Sequence, residues 1–130
     1  MNPNAPRILV VDDSLPIRRI ASAMLQKLGF AVEQAADGGQ ALAACSARMP
    51  DGILLDWNMP IMDGLTFARA LRAAPNGSKP RIIFCTTESK FDKIAIGIEA
   101  GADEYIMKPF DIEILASKLT MVGLLAAEAA

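Results

Sequence analysis

At 130 residues, 52% hydrophobic and 22% charged, the chain has the size and composition of one globular domain with a sizeable core, and two domains would be cramped. A net charge of −2 with scattered basic residues leaves no electrostatic footprint for nucleic acid, and no apolar run nears the ~18 residues a membrane span needs. Histidine is absent, which excludes serine–histidine and cysteine–histidine hydrolases and any histidine-bearing zinc site, so chemistry must run on carboxylates, hydroxyls and lysines.

The N-terminal "MNPNAPR" lacks the charged-then-apolar pattern of a secretion signal, so a cytoplasmic location is expected. Cys45 and Cys85 are too few for a disulfide scaffold and read as small buried hydrophobes. The first predicted strand is Ile8 to Val11, which runs into Asp12 and Asp13. A helix follows, with Ile17, Ile20, Ala21, Met24, Leu25 and Leu28 on one face, Ser14 as N-cap and Gly29 as stop. "AVEQA" alternates as an exposed edge strand would, and a helix from about Gly38 to Met49 comes next. "GILLD" is a buried strand ending at Asp56, and Asp63 opens a helix running to about Ala74. "RIIFCT" is another buried strand, Glu88 to Ala100 is helical, and "EYIMK" with a helix from Asp111 to about Leu125 completes the series.

Five strands alternating with five helices predict an α/β fold: one doubly wound parallel sheet with helices on both faces. Uninterrupted Ile, Leu and Val runs suit strands covered on both sides. In such a sheet Asp12, Asp13, Asp56, Thr86 and Lys108 all fall at the carboxyl edge, where open α/β sheets bind ligands. If the first and third strands are neighbours, a spacing of ~4.8 Å brings the three aspartates within reach of one small cation. An all-oxygen site of few protein ligands suits Mg2+, and Mg2+ favours phosphate nearby. A carboxylate there can act as nucleophile towards a phosphoryl group, with Lys108 supplying charge and Thr86 a hydroxyl donor.

The segments "VVDDS" (Val10 to Ser14), "LLDWNMPIMDG" (Leu54 to Gly64), "FCTTE" (Phe84 to Glu88) and "AGADEYIMKPF" (Ala100 to Phe110) fall in order at successive strand ends. Over about residues 7 to 125 the chain resembles the receiver domain of a two-component response regulator, in the stand-alone chemotaxis form. The resemblance implies a flavodoxin-like strand order of 2-1-3-4-5. It implies that Asp56 is the phosphoacceptor, Asp13 a direct Mg2+ ligand, Asp12 a ligand through water and Asn58 a ligand through its backbone carbonyl. Thr86 and Lys108 would contact the phosphoryl group, Tyr105 would be the aromatic switch coupled to Thr86, and Lys108-Pro109 would be a cis peptide.

A single domain over 1–130 without an output domain is the expected organisation, working as a monomer and signalling to a separate protein. The donor would be a histidine kinase or phosphotransfer protein, since this chain has no histidine of its own. The resemblance places the partner surface at about 88–125, with Lys90, Phe91, Tyr105 and Lys118 as contacts. Asn58 and Glu88 would tune the lifetime of the phosphorylated state towards a short one, Thr87 is bulkier than the small residue common at its position, and Trp57 should report ligand binding by fluorescence. Motility control is the expected pathway, with a phosphorelay in stress or cell-cycle signalling as the alternative.

Each residue also has a plainer reading. Asp13 and Ser14 could cap a helix, Thr86 and Thr87 could end a strand, Tyr105 could be an edge-strand aromatic and Lys108 a solvated lysine. At the level of the whole chain, an aspartyl-phosphate phosphatase would need a substrate pocket that the short loops do not offer. A flavin or nucleotide binder would need a glycine-rich phosphate loop, and none follows a strand. A module for an anionic second messenger would draw on Arg18, Arg19, Arg69 or Arg72.

Overall fold

Five short strands pair in parallel in the order β2-β1-β3-β4-β5, as seen in a computed structural model that describes residues 5–59, 61–87 and 91–126, with Phe91 described by its backbone. In chain order the elements are β1 (Arg7–Val11), α1 (Leu15–Lys27), β2 (Ala31–Ala35), α2 (Gly38–Ala47), β3 (Gly52–Asp56), α3 (Gly64–Ala73), β4 (Arg81–Thr86), α4 (Phe91–Glu99), β5 (Glu104–Met107) and α5 (Ile112–Met121). The fold class and strand order are those expected.

Burial follows the sequence pattern. β3 is buried at every position, as its unbroken "GILLD" run requires, whereas the edge strand β2 exposes Glu33 and Gln34. Alternate strand residues feed two separate cores. Leu9, Val11, Ile53, Leu55, Ile82 and Phe84 face one side, where Ala41 and Cys45 of α2 and Phe67, Ala68 and Leu71 of α3 cover them. Ile8, Val10, Leu54, Ile83, Cys85 and Ile106 face the other, under Ala21 and Leu25 of α1 and Leu115 and Leu119 of α5. Both cysteines are buried and free.

Four helices start on the same device: the side chains of Ser14, Asp37, Asp63 and Asp111 each accept a backbone N–H three residues on, opening α1, α2, α3 and α5. Gly29 ends the α1 region with φ +99°, in the left-handed conformation that glycine adopts without strain. The last helix is shorter than the periodicity suggested. It stops at Met121 and not near Leu125, because Gly123 takes φ +81° and the chain folds back so that the N–H of Leu124 bonds the carbonyl of Leu119. Helix α2 likewise closes at Ala47, where Arg48 is already extended. The expected start of the fourth helix at Glu88 lies outside the described residues. No described helix is long and apolar enough to cross a membrane.

Candidate functional site

The carboxyl ends of β1 and β3 lie side by side, with Val11 paired to Leu55, so the residues that follow them share one cleft. There Asp12, Asp13 and Asp56 each offer a carboxylate oxygen, and these atoms lie within 4.8 Å of one another. Asp12 and Asp56 are buried, at 4% and 6% exposure, and Asp13 faces solvent. Lys108, at the end of β5, reaches across to both buried acids: its Nζ donates to Asp56 Oδ1 at 2.9 Å and to Asp12 Oδ2 at 3.0 Å. The Lys108-Pro109 peptide is cis, as the resemblance implied.

The backbone fixes these groups from several sides. Asp12 continues the β1 ladder by donating its N–H to the carbonyl of Ala35, and its Oδ1 accepts the N–H of Ser14 at 2.9 Å. Trp57 N–H bonds the carbonyl of Cys85, and the Trp57 carbonyl accepts the N–H of Gly64 at 3.0 Å. The start of α3 is thus drawn against the end of β3, so closely that a Cβ on Gly64 would stand 2.5 Å from the Asp56 carbonyl oxygen. The Lys108 N–H bonds the carbonyl of Thr86 at 2.9 Å, joining β5 to the end of β4 beside the acids.

Electrostatics follow from this geometry. Burial raises the Asp56 pKa above its ordinary value and the Asp12 charge adds to the rise, while Lys108 and the backbone N–H of Asn58 oppose it. For Lys108, burial alone would lower the pKa, but the hydrogen bonds and charges of Asp56 and Asp12 outweigh it and the ammonium is held above the usual lysine value. Crowded hard oxygen donors with one solvent-facing member form a set that fits a small divalent cation.

Thr86 is buried at the end of β4, and Asn58 is exposed on the loop after β3. Tyr105 is half-buried on β5 and lines a narrow cleft together with Thr86, Trp57, Phe84, Ile94 and Gly97. Trp57 is 8% exposed and packs against Phe84, with ring centroids 4.8 Å apart. Glu88 and Lys90, and the side chain of Phe91, lie outside the described residues.

Two of the arginines considered as anion ligands are committed to carbonyl oxygens. Arg72 donates to Gly101, Gly77 and Pro80 carbonyls and to Asp103, and Arg18 donates to the carbonyl of Asp12 at 2.6 Å. Arg18 therefore clamps the turn that carries the acid pair. Sequence reasoning missed this role, and its signal was a cation one helical turn past "DDS". Gly64 was also missed as the residue that lets α3 close on Asp56, although "MDG" marks the turn.

Residues 8–120 match the family model described as the response regulator receiver domain. The transcriptional regulatory protein PrrA of Mycobacterium tuberculosis is 40% identical over 115 residues, which are 88% of this chain and 48% of that protein, and PrrA of Mycobacterium leprae is likewise 40% identical. The chain spans about half the length of these curated relatives. Among solved structures, the chemotaxis response regulator CheY4 of Vibrio cholerae superposes with a TM-score of 0.87 at 39% identity, over 92% of this chain and 99% of that one. The receiver domain of the sensor histidine kinase PA1611 of Pseudomonas aeruginosa, solved with a magnesium ion coordinated in its active-site cleft, gives 0.82 at 33% identity, over 89% of this chain and 95% of that one.

Proposed function

The chain belongs to the response regulator receiver family, and from that premise we propose that it accepts a phosphoryl group on Asp56, with Mg2+ held at Asp13, Asp56 and the Asn58 carbonyl and by Asp12 through water. The observation that carries this reading is the convergence of three carboxylates with Lys108 bonded to two of them.

A carboxylate oxygen of Asp56 attacks the phosphorus of a phosphohistidine on a histidine kinase or phosphotransfer protein. The O–P bond forms as the N–P bond breaks and the donor imidazole leaves with the electron pair. Bound Mg2+ would neutralise charge on the transferring group. Lys108 starts within 3.0 Å of both buried acids and turns its ammonium to a phosphoryl oxygen as the Asp56 charge is used in bonding. The Thr86 hydroxyl donates to another phosphoryl oxygen, and Tyr105 follows Thr86 into the cleft they share. The protein is a signalling phosphoacceptor that catalyses only its own phosphorylation and dephosphorylation.

The output is phosphorylation-dependent binding of a separate protein on the surface at about 88–125, where Ile98 of α4 and Ile114 of α5 are exposed at 54% and 45%. The protein works as a cytoplasmic monomer, and its place in motility control is supported by the similarity to CheY4, a chemotaxis response regulator. The similarity to PrrA favours a second pathway, transcriptional output.

Incubation with Mg2+ and acetyl phosphate, followed by intact-mass spectrometry, should add one phosphoryl group that is base-labile and absent from Asp56→Asn. An unmodified wild-type protein with Mg2+ binding confirmed by Trp57 fluorescence would refute the phosphoacceptor assignment.

A further inference from the structure

Tyr105 is the only tyrosine of the chain, and a cation sits on it. Lys118 Nζ, carried by α5, lies 4.5 Å from the Tyr105 ring centroid. The same ammonium donates to Glu104 Oε1 at 3.3 Å, and that oxygen also accepts the backbone N–H of Tyr105 at 3.0 Å. Lys118 and Glu104 are both about one-fifth exposed, at 20% and 21% of their side chains, so the pair is only partly screened by solvent. Glu104 is thus pinned to the strand beside the ring, and it in turn pins the cation over the ring face.

We propose that Lys118, anchored by Glu104, is a positioning residue that holds the Tyr105 ring at the free edge of the sheet and so opposes its inward movement. The inference rests on the reading of Tyr105 as the switch and adds the group that sets its balance. Tyr105 itself lines a cleft whose other walls include Thr86 of β4 and Trp57, Ile94 and Gly97 on the α4 side, and inward movement would carry the ring deeper between them. Lys118 approaches from α5, which packs on the opposite face of the sheet. Inward movement therefore takes the ring out from under the ammonium and gives up the cation–π contact. An interaction made in only one of two states shifts the equilibrium between them, and by linkage it lowers affinity for any ligand that favours the other.

The sole tyrosine allows a direct test. With 3-fluorotyrosine incorporated, a single fluorine resonance reports the ring, and beryllofluoride with Mg2+ serves as the phosphoryl mimic. In the wild-type protein the resonance should move on ligation. In Lys118→Met the ligand-free resonance should already lie part-way towards the ligated position, and beryllofluoride should bind about two- to fivefold more tightly, the range set by losing one such contact. Glu104→Gln should act in the same direction, and Lys118→Arg, which keeps a cation over the ring, should resemble wild type. A ligand-free resonance and a beryllofluoride affinity both unchanged in Lys118→Met would overturn the proposal. No resonance shift in the wild-type protein, with binding shown independently by Trp57 fluorescence, would instead remove the switch role of Tyr105 and the latch with it.

Discussion

Asp56 carries its carboxyl to a place where only 6% of the residue remains exposed, beside a second buried acid, and its pKa is raised by that burial first and by Asp12 second. The folded state therefore takes up a proton on Asp56 more readily than the unfolded chain does. Its stability falls as pH climbs from the ordinary aspartate value of 3.8 through the raised one. Asp56→Asn removes that penalty, so in EDTA at pH 7 the variant should melt higher than wild type, with the difference closing below about pH 4. Calorimetry across that range checks the sign. Lys108→Met acts oppositely: it leaves the two buried carboxylates without their cation and should lower stability by about 2 kcal/mol in EDTA, a loss that Mg2+ recovers. Ile61 is another single-residue case, a β-branched side chain 96% exposed at φ +71°, where the left-handed backbone strains it. Ile61→Asn should raise stability by about 1 kcal/mol in denaturant melts and leave acetyl phosphate labelling as it was. The acids and Lys108 were legible in the sequence because charged residues directly after apolar strands have few structural uses. The bonds of Arg72 were not, because its partners are backbone carbonyls of segments whose approach only the fold defines.

Helix starts and strand ends decide how accurately those side chains are aimed. Periodicity located all ten elements because each strand is an unbroken or alternating apolar run and every helix but α4 buries several positions of one face, whereas among the described residues of α4 only Gly97 is buried. The stop of α5 escaped it, since Leu124 and Leu125 continue the apolar pattern past Gly123 while packing back on the core as a turn. Two substitutions at helix N-termini should separate stability from aim. Asp37→Ala deletes the acceptor for the N–H of Gln40 and should cost about 1 kcal/mol, with phosphorylation unaffected, because α2 contributes no side chain to the acid cleft. Gly64→Ala brings a Cβ to 2.5 Å from the Asp56 carbonyl oxygen and 2.8 Å from the Phe84 ring. The backbone contact has no side-chain rotation to relieve it, so α3 must move off β3. That variant should lose about 1–3 kcal/mol and also label more slowly with acetyl phosphate than Asp37→Ala does. Equal labelling rates in the two variants would mean that the β3–α3 junction does not position Asp56.

Taken as a molecule, the domain keeps its apolar mass in two cores on either side of the sheet and gathers its unfavourable charge at one edge, so stability and function meet only at that edge. The cores are insensitive to ions, whereas in the cleft, among the described residues, the Lys108 ammonium pairs with two of three crowded carboxylates. A divalent cation that binds the folded cleft and not the unfolded chain must stabilise the whole fold by mass action, by about 2.7 kcal/mol when its free concentration is a hundred times its Kd. For a domain of this size that corresponds to a rise in Tm of about 10 °C. The gain depends on ionised acids, and the raised pKa of Asp56 lets protons compete with the cation at pH values above the ordinary aspartate figure of 3.8. The Mg2+-dependent rise in Tm should therefore be full near neutrality and fade on acidification before typical surface aspartates titrate. It should also be reduced at every pH in Asp13→Asn, which removes the solvent-facing carboxylate of the cleft and leaves both cores intact. Paired melts in Mg2+ and in EDTA from pH 4 to 8 read this directly, and a rise in Tm that is the same in Asp13→Asn as in wild type would place the cation elsewhere on the protein.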